Sequence, residues 1–245
     1  MRRVVRMLRA PGAQGPDAAA VGAQVGSASL DLQAARAAMI DSQVRPNDVT
    51  DRRLIAAMAA VPRDAFVPAN RLSLAYADAP VETGPGRWMA AARDFSKLVN
   101  AAAILETDRV LDVAPGAGYS TAILVRLAST VVALEQDQAA ATALREALDK
   151  AGVPGMKIVA GPLKAGVPSE APFDVIHING AIEEVPKAWL DQLAEGGRLV
   201  AVVAEKGIRR ARVYTRSGGK TAWRAPFDAA TPALPGFERA AEFRL

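Results

Sequence analysis

Arg109-Val-Leu-Asp-Val-Ala-Pro-Gly-Ala-Gly-Tyr119 is the stretch of this 245-residue chain that decides its fold. Val110 to Val113 predicts a short buried strand. Ala114-Pro115 breaks that strand, and Gly116 and Gly118 predict a tight turn, because glycine tolerates positive φ and lets a ligand approach the backbone. The apolar segment that follows predicts a helix. A strand, a glycine turn and a helix in this order are typical of a nucleotide-type pocket at the carboxyl end of a parallel strand.

The residues around the turn favour one ligand over others. A dinucleotide fingerprint requires a third glycine three residues after Gly118, and that position is Thr121. Asp112 lies in the strand, where a carboxylate suits a cationic ligand better than a pyrophosphate. The next predicted strand, Val131 to Glu135, ends in an acid that can accept both hydroxyls of a ribose. A ribose with a positively charged tail describes S-adenosylmethionine. We therefore expect Asp112 and Glu135 to converge on one pocket.

This strand–turn–helix arrangement resembles motif I of the class I methyltransferases. Short glycine motifs also occur in ordinary βαβ units that bind nothing, so the stretch alone leaves both interpretations open.

Composition excludes several classes of site. The chain has no cysteine, which excludes disulfides and cysteine-based metal sites or nucleophiles. Its one histidine, His177, excludes a multi-histidine metal site, so we expect no metal. The formal net charge is +4, but residues 1–29 hold four arginines and one aspartate, a balance of +3, which leaves +1 for the rest. A domain so nearly neutral does not indicate a nucleic-acid surface.

Residues 1–29 are predicted to be a disordered basic tail or an over-extended start, since they lack the continuous apolar run of a secretory signal. No stretch approaches the roughly 20 apolar residues that span a membrane. We expect a cytoplasmic protein with no membrane partner; the sequence leaves its oligomeric state open.

Residues 30–92 are predicted to form an N-terminal helical cap with a loop. Leu30 to Val44 and Asp51 to Ala60 have helical periodicity, and Thr50 is the expected N-cap of the second helix. Thr83 to Met89 is expected to be a loop.

Residues 93–245 are predicted to form an α/β domain. Strands and helices alternate through this part of the chain, a pattern typical of an open, mostly parallel sheet. Val185 to Leu193 is expected to be a helix that stops at Gly196-Gly197. Ala211 to Ala225 is expected to form an antiparallel hairpin around Ser217-Gly-Gly-Lys220.

Several stretches, in consistent order, resemble the protein-L-isoaspartate O-methyltransferase family. They are Val61-Pro-Arg-Asp-Ala-Phe-Val-Pro68, Leu74-Ala-Tyr-Ala-Asp-Ala-Pro80, Val110 to Tyr119, Ala171-Pro-Phe-Asp-Val-Ile176 and Leu193-Ala-Glu-Gly-Gly-Arg-Leu-Val200. The resemblance implies a Rossmann-like class I methyltransferase fold with a seven-stranded sheet. It also implies S-adenosyl-L-methionine as methyl donor and the carboxylate of isoaspartate in damaged peptides or proteins as acceptor, for protein repair.

The resemblance also implies a set of cofactor-binding positions. They are Asp112, Ala114, Gly116, Gly118, Tyr119, Glu135, Gln136 and Gly161. Two positions depart from the family pattern: its first motif I glycine is Ala114 here, and an adenine-side aspartate is absent from Ala160-Gly161-Pro162.

The acceptor loop departs further. Where the family has Gly-His-Gly-Gln-Thr-Ile-Ser, this chain has Gly84 to Ala90, so the substrate-facing serine is Ala90. Arg87 can replace it, because a guanidinium clamps a carboxylate in bidentate fashion. Trp88 and Asn179 are further candidates to contact the acceptor. Each has an ordinary alternative: a solvated loop residue, a packed loop aromatic and a strand-end cap.

No catalytic residue is assigned. A carboxylate acceptor is already ionised at neutral pH, so methyl transfer needs alignment and exclusion of water rather than a base. His177 lies in an apolar run and is expected to be a core histidine. Two functions remain open: a methyltransferase acting on isoaspartate or another acceptor, and a degenerate relative that binds cofactor weakly or not at all and acts as a binding module.

Overall fold

The computed structural model describes residues 31–239, so the predictions for residues 1–29 and for Leu30 lie outside the described residues. Within this range there are nine strands: β1 (Val81–Gly84), β2 (Arg87–Met89), β3 (Arg109–Val113), β4 (Thr130–Glu135), β5 (Met156–Ala160), β6 (Phe173–Ile182), β7 (Leu193–Glu205), β8 (Ile208–Ser217) and β9 (Lys220–Asp228). The α-helices of the same range are α1 (31–39), α2 (Arg52–Ala60), α3 (Ala92–Ala102), α4 (Tyr119–Leu124), α5 (Gln138–Lys150) and α6 (Lys187–Asp191).

Seven strands form one sheet in the order β5-β4-β3-β6-β7-β8-β9. The first five are parallel to their neighbours, and β8 and β9 continue the sheet as an antiparallel hairpin. The predicted fold class is therefore confirmed, including the strand count and the C-terminal hairpin. Strand order reverses between β4 and β6 around β3, so the glycine turn after β3 lies at the switch point where open α/β sheets bind ligands.

Alternation along β3 explains why the sheet is covered on both faces. Val110 belongs to a core cluster shared with α2, α3, α4 and α5, while Leu111 and Val113 belong to a second cluster shared with α6 and the segment after β9. Successive side chains of a strand point to opposite faces, so a strand with apolar residues on both must be buried between two layers.

The N-terminal part is helical, as predicted, with one correction. The N-cap of α2 is Asp51 and not Thr50: the Asp51 carboxylate accepts hydrogen bonds from the backbone N–H groups of Arg53 and Leu54, at 2.8 and 3.4 Å. The backbone N–H groups of Thr50 and Asp51 both donate to the side chain of Asn100 on α3. Both residues are good caps by type, and the Asp51 side chain is the one that accepts from the first turn of α2.

Two further predictions about local structure are wrong. The stretch predicted as a loop contains an antiparallel hairpin, with Glu82 of β1 opposite Trp88 of β2. Gly196-Gly197 does not stop a helix but lies inside β7, because α6 already ends at Asp191. Both errors concern glycine-containing segments: the first forms a local hairpin, and the second belongs to a strand that pairs with β6.

The β1–β2 hairpin lies across the carboxyl ends of the central strands. At its tip, a Cβ on Gly86 would lie 2.8 Å from Pro235, and at its base a Cβ on Gly116 would lie 3.7 Å from Thr83. The hairpin is thus packed between the C-terminal segment and the turn after β3. Among residues 31–239, no helix is both long and apolar enough to cross a membrane.

Candidate functional site

Asp112 is the most completely bonded carboxylate of the site. It is fully buried, and it accepts hydrogen bonds from Ser120 and Thr121 of α4, both at 2.7 Å, and from Asn179 of β6 at 2.6 Å. His177 of β6 places its Nδ1 3.0 Å from Oδ1, the oxygen that Asn179 also contacts. The buried Asp112 carboxylate therefore has four hydrogen-bonding partners within the protein, two on α4 and two on β6.

This geometry corrects the expectation that Asp112 and Glu135 converge on one hollow. Asp112 lies beneath the turn, where its oxygens join β3, α4 and β6, and no oxygen is left to face a cationic ligand. Contact between Asp112 and the cofactor stays a prediction. In the structure, Asp112 orients Asn179 and the first turn of α4. His177 is 98% buried against Phe95 and bonded to Asp112, as expected for a core histidine.

Glu135 is held differently. Its side chain is 1% exposed, and one oxygen accepts a hydrogen bond from the backbone N–H of Gly116 at 2.7 Å. The other oxygen forms an ion pair with Arg87 of the hairpin and accepts from the backbone N–H of Gln136. Burial raises the pKa of the Glu135 carboxyl, and the Arg87 guanidinium opposes that rise. Glu135 is therefore a buried anion whose one charged partner comes from a flexible side chain.

Backbone conformation explains the residues of the turn. Ala114 has φ +58°, Gly116 φ +61° and Gly118 φ +98°, all in the left-handed region. Ala114 stands where the family has a glycine, and its left-handed conformation costs an L-residue about 1 kcal/mol. The prediction that Gly116 and Gly118 adopt positive φ is thus confirmed. A Cβ on Gly118 would also lie 2.9 Å from Leu144 of α5, whereas the prediction that the glycines let a ligand approach the backbone stays untested.

Tyr119 is a core residue in this structure. Its ring is 2% exposed and packs against Phe66 and Phe95, with the Arg63 guanidinium 5.0 Å from the ring centroid. Burial raises the pKa of the Tyr119 phenol. Any contact with a cofactor is therefore made by one edge of a ring that is otherwise enclosed.

Gln136 and Gly161 lie on the other side of Glu135. Gln136 is exposed and contacts the Glu135 carboxylate through its backbone N–H. A Cβ on Gly161 would meet only Leu134, at 4.0 Å, so its surroundings are open. A planar group can lie against this backbone next to Glu135.

The acceptor-loop residues close over the strand ends. Trp88 lines two cavities of about 10 and about 20 Å³, and Asn179, Ala90 and Phe95 line both with it. The hairpin therefore covers the strand ends and leaves only these small cavities beneath it. Asn179 also donates to the backbone carbonyl of Val113 at 3.0 Å, which fixes its amide at the floor of these cavities.

The donor set fits S-adenosylmethionine even though the space beside it is small. The fit rests on the buried Glu135 carboxylate, the backbone N–H of Gly116 beside it and the open backbone at Gly161. A cofactor of this size requires a pocket of several hundred Å³. The cavities of about 10 and about 20 Å³ under the hairpin are far smaller than this.

Sequence reasoning missed three polar residues around this site. Ser120 was not singled out, Thr121 was noted only as the position of an absent glycine, and Arg63 only as part of a motif. Hydroxyls in the first turn of a helix that follows an acid-bearing strand are a signal that could have identified the first two. Arg63 is fully buried and donates to the carbonyls of Ala75 and Ala90, which anchors the acceptor loop from below.

Comparison with known proteins gives consistent matches. A sequence model of the family described as protein-L-isoaspartate(D-aspartate) O-methyltransferase matches residues 34–228. A protein-L-isoaspartate O-methyltransferase of Methanoculleus marisnigri is 39% identical over 171 residues, which is 70% of this chain and 78% of that protein.

Two solved structures share the fold. One, described as a protein-L-isoaspartate O-methyltransferase, has a TM-score of 0.71 and 21% sequence identity and covers 82% of this chain, which spans 66% of its length. The other, from Plasmodium falciparum, is described as a protein of the same name in complex with S-adenosyl-L-homocysteine. It has a TM-score of 0.68 and 20% identity, with coverage of 80% of this chain and 96% of that one.

Proposed function

We infer that this chain, which belongs to the protein-L-isoaspartate(D-aspartate) O-methyltransferase family, is an S-adenosylmethionine-dependent methyltransferase of isoaspartyl residues in proteins. The observation that carries the inference is the Glu135 carboxylate, buried at the end of β4 next to the N–H of Gly116. An acid at this point of an open α/β sheet accepts ribose hydroxyls. The family match favours this activity over the degenerate binding module.

S-adenosylmethionine, when bound, supplies a methyl group made electrophilic by the sulfonium charge. One oxygen of the acceptor carboxylate forms the new bond to carbon, and the sulfur keeps the electrons of the bond that breaks. No proton moves, because the acceptor is ionised at neutral pH. The protein therefore has to align the two partners and keep water away from them.

Different residues of the chain bind the cofactor and the acceptor. We propose that Glu135 and the backbone at Gly116 and Gly161 hold the adenosine, with Gln136, Ala114, Gly118 and Tyr119 shaping its surroundings. Asp112 holds Asn179 in place from beneath. These assignments are supported by the bonds of Glu135 and Asp112 and by the open backbone at Gly161.

On the acceptor side, we propose that Arg87 binds the isoaspartyl carboxylate, Trp88 covers it and Asn179 bounds the floor of its site. Ala90 stands where the family has a substrate-facing serine and offers no hydroxyl. Arg87 is a cation on the same hairpin, and its neighbour Trp88 lines the cavities beside Ala90. A guanidinium in this position restores the carboxylate recognition that the serine would supply.

The proposed substrate is a peptide or protein carboxylate, and the proposed setting is repair of damaged proteins in the cytoplasm. We propose no nucleic-acid partner, because outside residues 1–29 the sequence carries a formal charge of only +1.

A methyl-transfer assay tests the function. The enzyme, S-adenosylmethionine and a short isoaspartyl peptide should release methanol from the labile methyl ester, whereas the same peptide with an ordinary aspartyl residue should not. Calorimetric titration with S-adenosylhomocysteine should show binding in parallel. Binding without transfer would assign another acceptor, and the absence of both at millimolar ligand would leave the binding-module alternative.

A further inference from the structure

The ion pair between Arg87 and Glu135 joins the two halves of the site. Arg87 comes from β2 of the covering hairpin and Glu135 from the end of β4, and the two side chains are 14% and 1% exposed. We propose that Arg87 alternates between two carboxylates: Glu135 when the cofactor is absent, and the acceptor carboxylate when the cofactor is bound. The proposal rests on the methyltransferase function inferred above.

The hydrogen bonds of Glu135 prevent it from binding Arg87 and the adenosine at the same time. One carboxylate oxygen accepts from the N–H of Gly116, and the other is shared by Arg87 and the backbone N–H of Gln136. Two ribose hydroxyls need both oxygens, so the adenosine and Arg87 compete for the same acid. When the adenosine binds, the guanidinium loses its charged partner.

The acceptor is the natural second partner for a guanidinium released in this way. The base of the Arg87 side chain lies over the turn after β3, where a Cβ on Gly116 would be 3.9 Å from the Arg87 Cβ. Trp88, which follows Arg87, and Thr83, whose hydroxyl donates to the Arg87 carbonyl at 3.4 Å, line the small cavity beside Ala90 and Asn179. Rotation of one long side chain therefore moves the cation from the cofactor's acid toward the acceptor region.

Electrostatics also favour the exchange. Glu135 and the acceptor carboxylate are both anions, and like charges a few ångströms apart in a buried site repel strongly. A cation between them removes that repulsion. The other guanidinium near the acceptor loop, Arg63, is fixed by its bonds to the carbonyls of Ala75 and Ala90. Arg87 is thus a positioning residue that couples the two binding events.

This exchange predicts opposite effects of one substitution on the two ligands. In Arg87→Met, no ion pair has to be broken when the cofactor binds, so S-adenosylhomocysteine should bind about tenfold more tightly than to the wild type, as expected for one charge-assisted hydrogen bond. The same variant should raise KM for an isoaspartyl peptide about tenfold. A residue that only stabilised the hairpin would weaken both ligands or neither.

Arg71→Met is the matched control. Arg71 also binds the hairpin by an ion pair, 2.5 Å from Glu82 of β1, but it does not contact Glu135. Calorimetric titration at about pH 8 should give an S-adenosylhomocysteine affinity within about twofold of the wild type for this variant. An equal gain in both variants would mean that general loosening of the hairpin, and not the release of Glu135, controls binding.

The coupling itself can be measured by titrating an isoaspartyl peptide with and without S-adenosylhomocysteine. In the wild type the nucleoside should raise peptide affinity fivefold or more, and by linkage the peptide should raise nucleoside affinity equally. In Arg87→Met the coupling should disappear. Arg87→Lys, which keeps the charge but not the fork, should give intermediate values and serves if the methionine variant does not fold.

The outcomes separate the two proposals. If S-adenosylhomocysteine binds the wild type and Arg87→Met equally and the peptide coupling is unchanged, the exchange is wrong while the methyltransferase function stands. If neither protein binds it at millimolar concentration, the cofactor assignment is wrong and the exchange is excluded with it. Binding to Arg87→Met alone supports the exchange.

Discussion

Two carboxylates on adjacent strands, Asp112 and Glu135, have opposite kinds of surroundings. Asp112 has no exposed surface and accepts hydrogen bonds from Ser120, Thr121, His177 and Asn179. Each of these donors sits on the helix or strand next to β3, so none can leave without unfolding part of the core. Glu135 is equally buried, but its charged partner is Arg87, on the hairpin that lies across the carboxyl ends of the central strands.

The comparison shows that burial alone does not distinguish a structural acid from a binding acid. What differs is the cost of exchanging the partners. A carboxylate bonded by short side chains of packed elements is permanent, whereas one bonded by a long arginine can accept a new partner when the arginine finds another anion. The following predictions test this difference, beginning with the largest effect.

Asp112→Asn should lower the free energy of unfolding by about 3 kcal/mol, because the new amide presents N–H groups to donors that lose their acceptor. Urea denaturation followed by circular dichroism measures the change. Asp149→Asn, on the exposed face of α5, is the control and should stay within about 0.5 kcal/mol of the wild type. Equal values for the two variants would mean that the Asp112 network is not structural.

Glu135→Ala should lower affinity for S-adenosylhomocysteine more than tenfold, or about 1.4 kcal/mol or more, through loss of the ribose hydrogen bonds. Its effect on unfolding should be smaller than that of Asp112→Asn, because the freed Arg87 can turn to solvent. Calorimetry and urea denaturation on one preparation measure both. An unchanged dissociation constant would place the cofactor elsewhere. Glu146→Ala, exposed on α5, is the control.

The pH dependence of cofactor binding should follow Glu135. Burial raises the pKa of this carboxyl, so it takes up a proton at a pH where an ordinary glutamate stays ionised. Affinity should therefore be full at about pH 8 and fall as the pH is lowered through the raised pKa.

In Arg87→Met the pKa of Glu135 loses the lowering effect of the guanidinium, so the fall should begin at a higher pH than in the wild type. Calorimetric titrations at a series of pH values compare the two profiles. A fall at the same pH in both proteins would argue that another group controls it.

The smallest expected effect concerns the turn that joins the two carboxylates. Ala114→Gly should stabilise the protein by about 0.5 kcal/mol, since it relieves a positive φ but removes a buried methyl group. Ala103→Gly relieves the same kind of conformation at the exposed end of α3 and should gain about 1 kcal/mol. Thermal denaturation should rank the two variants in that order. A loss of stability at Ala114 would mean that its methyl packing outweighs its strain.

Much of the fold was predictable because it is encoded locally. Apolar runs, glycine turns and helical periodicity located β3, β4, α2 and the C-terminal hairpin, and alternation along the chain predicted the parallel sheet. Of the two segments that the sequence misassigned, Thr83 to Met89 contains most of a local hairpin, in which β1 pairs with β2. Gly196-Gly197 lies in β7, whose parallel pairing with β6 cannot be read from the glycines themselves.

The sequence predicted which residues belong to the site, but not which of them contact one another. The sequence identified Asp112, Glu135, Arg87 and Asn179 as candidates, yet assigned both acids to one ligand. The positive φ of Gly118 was predictable from the turn, but its packing against the leucines of α5 was not.

The sequence by itself determined the family, the class of sheet and the positions of the acids at the strand ends, because each depends on residues close together in the chain. Only the tertiary structure decided which acid is locked and which is exchangeable. Arg87 lies 48 positions from Glu135, and Asn179 lies 67 positions from Asp112. Such pairings follow from how strands and helices pack, and a carboxylate acquires its role from the partners that packing brings to it.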